Sequence, residues 1–320
     1  PITLTLLSGC GANEKPSYLD ADLKSGDQNF LVGNFVISGN AIKGPLENAI
    51  VFIDYNNDGL VNMYRVVKLD DSGKIVGWTE YAEPFVRSDT YGAFQLVPQI
   101  DTNEQIYLSD GTTQKASEAR LVAITDSETI DRSSDQFLPG IMLTAPASST
   151  VVTPITTMMD IGKLTSDNMK TVLSLSHPTD FPNLNEFNHY SIEDLIDKFT
   201  EDLNADLTEI EKEERVLDYR KDLMKDVVAI ENTSQQMIAT ISGFSAVLEK
   251  TGLQQSQAYD AALLAMAELV KDHVANDQPI KLDNIGTLND FSTLAENHAK
   301  KFDTFDYDTF KTYDSSLISA

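Results

Sequence analysis

The residues Asn48-Ala49-Ile50-Val51-Phe52-Ile53-Asp54-Tyr55-Asn56-Asn57-Asp58-Gly59-Leu60-Val61-Asn62 carry the reading of the fold. The first half is a run of β-branched and aromatic residues, which suits a buried extended strand. The second half sets oxygen-bearing side chains at Asp54, Asn56, Asp58 and Asn62, positions 1, 3, 5 and 9 of a loop. Gly59 stands at position 6, where a sharp turn needs positive φ, and Leu60 at position 7 offers a backbone carbonyl. This spacing wraps a short backbone round one hard cation and predicts a Ca2+ loop. The bidentate acid usual at position 12 is missing, because Arg65 stands there. The remaining carboxylate must then come from elsewhere in the chain, with Asp89 the first candidate and Asp70 or Glu80 behind it. A metal-free alternative stays open, since Asn-Asp-Gly forms hairpin turns unaided. An ion here would be structural, fixing a loop between strands.

Outward from this stretch, the texture from 31 to about 150 is β. NFLVGNFVISGNAIKG (29–44), YGAFQLVP (91–98), EQIYLSD (104–110), ARLVAITD (119–126) and GIMLTAP (140–146) are short apolar or alternating runs between Gly, Asp, Asn and Pro clusters. Such spacing predicts an antiparallel, Greek-key-like sandwich. After Pro154 the period changes. Val216, Tyr219, Leu223, Val227, Ile230, Met237, Ile241, Phe244 and Leu248 form one helical stripe over about 208–250, interrupted only by Ser234. Gly243 is a place for a bend and Asn232-Thr233 for a split. Gly252 marks a stop, QAYDAALLAMAELVKDHVA (257–275) reads as the next helix, and Thr287-x-x-Asp290 opens another near 288–302. Ser191-x-x-Asp194 is a near capping box ahead of IEDLIDKFTEDL. The expected class is therefore α+β and multidomain. It has an extended arm or linker at 1–30, a β-sandwich at 31–150, an all-α helical bundle at 151–302 and an extended tail at 303–320.

Composition narrows the partners. Fifty acids against 24 bases give a net charge of −26 and a pI near 4.3. That excludes nucleic acid, whose binding needs Lys and Arg to displace counterions from phosphates, and it disfavours anionic membrane surfaces. An acidic surface also gathers divalent cations. The lone Cys10 allows neither an intramolecular disulfide nor a Cys-based zinc site. No run approaches the ~20 apolar residues that span a bilayer.

Two segments resemble known families. Asn48–Asp54, the loop that follows it, and Ser88-Asp89-Thr90-Tyr91-Gly92-Ala93-Phe94-Gln95-Leu96 resemble the carboxypeptidase-regulatory-like and collagen-adhesin B-type sandwiches of bacterial surface proteins. LTAPASSTVVTPITTMMDIG (143–162) is similar to a segment of large secreted, calcium-dependent adhesin-like bacterial proteins, where it joins such a sandwich to a helical region. The resemblance implies an extracellular or cell-surface location. A third likeness, Leu7-Ser8-Gly9-Cys10 to a lipoprotein lipobox, would lipidate Cys10 and anchor the chain to a membrane. The competing reading of this end is a strand with Ile2, Leu4 and Leu6 on one face.

No catalytic pattern emerges. His177, His189, His273 and His298 lack ligand spacing, and there is no nucleophile elbow, P-loop or dinucleotide fingerprint. The expectation is a non-enzymatic extracellular structural or adhesive module, stabilised by Ca2+ and partnered by other subunits or by surface and matrix components. Alternatives are an assembly subunit of an extracellular filament, matrix or virion that uses its N- and C-terminal arms, a homo-oligomer being one form of partnership, and, less favoured, a carbohydrate-binding accessory or hydrolase.

Overall fold

Ile50–Asp54 forms the expected strand, and all five of its residues are buried. In the computed structural model the described residues are 37–320, apart from 99, 102, 109, 139, 147–148, 176–191, 204–206 and 319–320. Cys10, the 1–30 arm and the Ser191 cap lie outside them. The chain runs through β1 (Ile37–Ala41), β2 (Leu46–Glu47), β3 (Ile50–Asp54), β4 (Met63–Leu69), β5 (Ile75–Ala82), β6 (Phe85–Arg87) and β7 (Ala93–Leu96). It continues through β8 (Gln105–Tyr107), β9 (Thr113–Lys115), β10 (Arg120–Ile124), β11 (Ile130–Asp131), β12 (Gln136–Phe137), β13 (Met142–Pro146) and β14 (Val151–Val152). Among the described residues every later element is helical: a mostly β region precedes an α region, as the change of period predicts.

The strands form four small sheets, ordered β14-β1-β7, β13-β10-β3-β6, β12-β11-β2 and β5-β4-β8-β9. Pairing is antiparallel except between β1 and β14, which run parallel. β14 returns to β1 only after the whole β region has been traversed, so no local signal announces this pair. In the sheet containing β3, alternate residues serve different clusters. Val51, Ile53, Leu121 and Ala123 join the large core, while Ile50, Phe52, Val122 and Ile124 form a second one with Val61.

Two carboxylates pin the loops around β11. Asp131 accepts from Lys43 Nζ at 2.6 Å and from Ser133, and Asp126 accepts from Arg87 Nη2 at 2.7 Å. Burial alone would raise both carboxyls, but these donors outweigh it and hold them below the ordinary range. A depressed folded-state pKa stabilises the protein above the unfolded value near 3.9 and loses that contribution as pH falls through the folded value. Melting temperature is therefore expected to fall on acidification below about pH 4, with a shallower fall in Asp131→Asn. Equal slopes for both proteins would remove Asp131 from this account.

The joint into the helices is built from threonines. Thr153 caps α1 (Pro154–Gly162), with Pro154 in the first turn. Its Oγ1 accepts from Thr156 N at 3.0 Å, and Thr156 Oγ1 receives Thr153 N at 2.8 Å. The cap is thus Thr153, with Thr156 as its reciprocal partner. Thr157 Oγ1 accepts from Thr144 N at 2.8 Å and ties α1 to β13. α2 (Ser166–Leu173) and α3 (Ile192–Glu201) follow. α4 (Glu209–Lys250) is one unbroken helix of 42 residues, neither bent out of its assignment at Gly243 nor split at Asn232. Its start is a capping box of Thr208 and Glu211. Gly252 takes φ +97° and ends it, and α5 (Gln255–Ala275) begins.

Two expectations are corrected at the C-terminal end. α6 (Ile285–Ala299) starts earlier than the Thr287 box, because Asn284 Oδ1 accepts from Gly286 N at 2.7 Å and caps it there. The tail is not an extended arm over its described length. It forms α7 (Tyr307–Ile318), with Phe310 fully buried against the helical core. That core is continuous with the β region, running from Ala41 to Phe310.

Candidate functional site

Asp54 closes β3, and the register sets it directly opposite Arg120 on β10. The backbone then turns through Asn57 and Gly59, both at positive φ, as the Asn-Asp-Gly pattern predicts. Asp54 is fully buried. Its Oδ1 accepts from Asp58 N at 3.1 Å, and its Oδ2 from Gly59 N at 2.9 Å. The Arg120 guanidinium also meets Oδ2, with Nε donating at 2.9 Å and Nη2 in ion-pair contact at 2.9 Å. Asn56 Oδ1 accepts from Asp58 N at 3.1 Å, and Asp58 Oδ1 accepts from Leu60 N at 2.9 Å. Asn56 Nδ2 donates to Asn62 Oδ1 at 3.0 Å, and Asn62 Nδ2 to Asp58 Oδ2 at 2.6 Å. The four side chains at positions 1, 3, 5 and 9 are therefore gathered within one turn, with Leu60 beside them.

None of the three acids expected to complete the set faces the loop in this way. β6 pairs with β3 so that Arg87 lies opposite Ile50, which carries Asp89 to the far end of the strand. Four residues of strand separate the ends, about 13 Å. There Asp89 caps its own turn, accepting from Tyr91 N and Ala93 N. Asp70 closes the β4–β5 hairpin, accepting from Ser72 and Lys74, and Glu80 pairs with Arg65 at 2.8 Å.

The nearby acid is Glu83, which the sequence reading passed over. β4 pairs with β5 so that Met63 faces Ala82, bringing Glu83 back to Asn62. Glu83 is almost wholly buried; its Oε1 accepts from Tyr55 N at 2.8 Å and its Oε2 from Asn62 N at 3.2 Å. One carboxyl group thus clamps the two ends of the loop. Gln114 adds an outer clasp, donating to Tyr55 O at 2.8 Å and accepting from Asn57.

The acids here crowd one another. Burial pushes the Asp54 carboxyl above its ordinary range, against the pull of Arg120 and the Gly59 N–H. Glu83 is pushed up to about 9, by burial first and then by the charges of Asp54 and Asp58. Added positive charge is favoured at such a place. Burial also raises the Tyr64 phenol, whose hydroxyl finds no hydrogen-bond partner among the described residues although its ring lies 4.4 Å from that of Tyr55.

The donor set fits a hard cation in kind: two carboxylates, two side-chain amides and a carbonyl are oxygen donors of the sort Ca2+ takes. Among the described residues no group of three or more His, Cys, Asp or Glu side chains is arranged to hold a metal ion. The loop itself offers only two carboxylates, and Glu83 is turned to the backbone. Of the histidines, His273 contacts Pro279 O and His298 contacts Glu268 at 2.9 Å, while His177 and His189 lie outside the described residues. Among the described residues no helix is long and apolar enough to cross a membrane. No known family, curated protein or solved structure matches the chain.

Proposed function

We propose that the chain is a non-enzymatic structural or adhesive module acting outside the cell or at its surface. On this reading the β region is a Greek-key-like sandwich stiffened by one Ca2+ at Asp54–Asn62, and the helices form the bundle that it joins. Its partners are surface or matrix components, or further copies of itself. The observation that supports the reading is the turn at Asp54. Oδ2 is taken by the Gly59 N–H and by Arg120, whereas among the described residues Oδ1 accepts only the Asp58 N–H, at 3.1 Å, a donor it shares with Asn56 Oδ1. Asp54, Asn56, Asp58 and Asn62 would hold the ion through side-chain oxygens and Leu60 through its carbonyl. A bound Ca2+ supplies charge neutralisation and a fixed loop, and no water is activated.

Calcium at a hundredfold excess over its Kd is expected to stabilise the fold by about 2.7 kcal/mol, and EDTA should remove the gain. For a cooperatively melting chain of this size that is a rise of roughly 4 °C in melting temperature. Scanning calorimetry with calcium, with magnesium and with EDTA makes the comparison. Identical melting in all three would leave the loop a plain turn.

A further inference from the structure

Arg120 has a second attachment beyond the loop. It opens β10, cross-strand from Asp54 on one side and from Pro146 of β13 on the other. Nε and Nη2 hold Asp54 Oδ2, while Nη1 lies 4.0 Å from Asp160 Oδ2 in the last turn of α1. Asp160 is itself placed by the joint, since the same oxygen accepts from Thr144 Oγ1 at 2.8 Å. The charge of Arg120 reaches Asp260 on α5 as well. A guanidinium is a rigid planar fork, so one end cannot shift without carrying the other.

We infer that Arg120 is a positioning residue that couples cation occupancy of the Asp54–Asn62 loop to the seating of helix α1 on the β region. The inference rests on the calcium reading above. An ion on Asp54 Oδ1 brings a second positive charge to the carboxylate that Arg120 now holds. Repulsion between the two moves the guanidinium towards Asp160 and closes the 4.0 Å gap into a direct contact. Loop filling therefore tightens the joint between strands and helices. Thermodynamic reciprocity requires that a firmer joint also favours the ion.

Amide hydrogen exchange of the full chain, with calcium alone as the probe, reads this directly. In the wild-type protein, calcium is expected to slow exchange across Ile155–Gly162 by about tenfold, a coupling in the usual range. Arg120→Lys keeps the charge but cannot span both acids, and Asp160→Asn leaves the loop untouched. In both variants calcium should protect the loop while the added protection of α1 disappears. Weaker calcium binding in Asp160→Asn, seen by calorimetry, would support the coupling from the other direction. Wild-type protection confined to the loop, or α1 protection undiminished in both variants, overturns the inference and leaves the calcium reading standing. Absence of calcium binding by the wild-type chain overturns both.

Discussion

Replacing Asp54 with alanine is expected to destabilise the folded chain by about 3–5 kcal/mol, the cost of breaking a buried ion pair from one side. Asp54 is fully buried, and the Arg120 side chain opposite keeps only 20% of its surface exposed. Truncation leaves the guanidinium without its main partner and strips the Gly59 N–H of its acceptor, while the Asp58 N–H keeps only Asn56 Oδ1. Asp54→Asn preserves an acceptor and the side-chain shape but loses the charge, so its cost should be smaller. Urea unfolding monitored by circular dichroism measures both. A midpoint for Asp54→Ala that stays within the scatter of wild type would mean that the loop is held by Glu83 and Gln114 alone.

The second large effect lies at the opposite end of the chain. Phe310→Ala should cost about 3–5 kcal/mol, the range for emptying a fully buried phenylalanine site. Phe310 has no exposed surface, and its ring tilts against Phe305 at 5.6 Å. Polar contacts seat the same helix: Ser292 Oγ donates to Asp314 Oδ1 at 2.6 Å in a buried position, and Lys311 pairs with Glu296 at 2.7 Å. Thermal unfolding of Phe310→Ala beside a chain ending at Phe302 separates the two views of this segment. If both melt with the wild type, α7 contributes nothing to the core and the tail behaves as the arm its composition suggested.

Both predictions concern residues whose local pattern was informative but incomplete. Near Asp54, the loop was visible because its signals act within nine residues, through side-chain oxygens that bond their own backbone and a glycine at positive φ. The acid at its mouth was not visible. Glu83 reaches Tyr55 across 28 residues of chain, and Arg120 reaches Asp54 across 66. Both arrive through strand register, and a shift of one residue would turn either side chain to the other face. Asp89, the first candidate from the sequence, is carried by the direction of β6 to the far end of β3.

The helical half shows the same division. The 3.6-residue stripe alone sufficed for α4 and its stop at Gly252, because amphipathic period and terminal signals lie within the segment itself. In the tail, Phe302, Phe305, Phe310 and Leu317 sit among Asp, Thr and Tyr without a clean stripe. The helix that carries Phe310 and Leu317 is decided by packing against α4 and α6. The amino-acid sequence by itself determined the order of β region and α region, the turn at Asp54–Asn62 and the long helix, since period and turn chemistry are local. Only the tertiary structure decided the parallel β1–β14 pair, the clamp of Glu83, the bridge of Arg120 and the burial of α7. Each of these is a contact between distant segments, whose energy exists only once the strands are in register and the helices are packed.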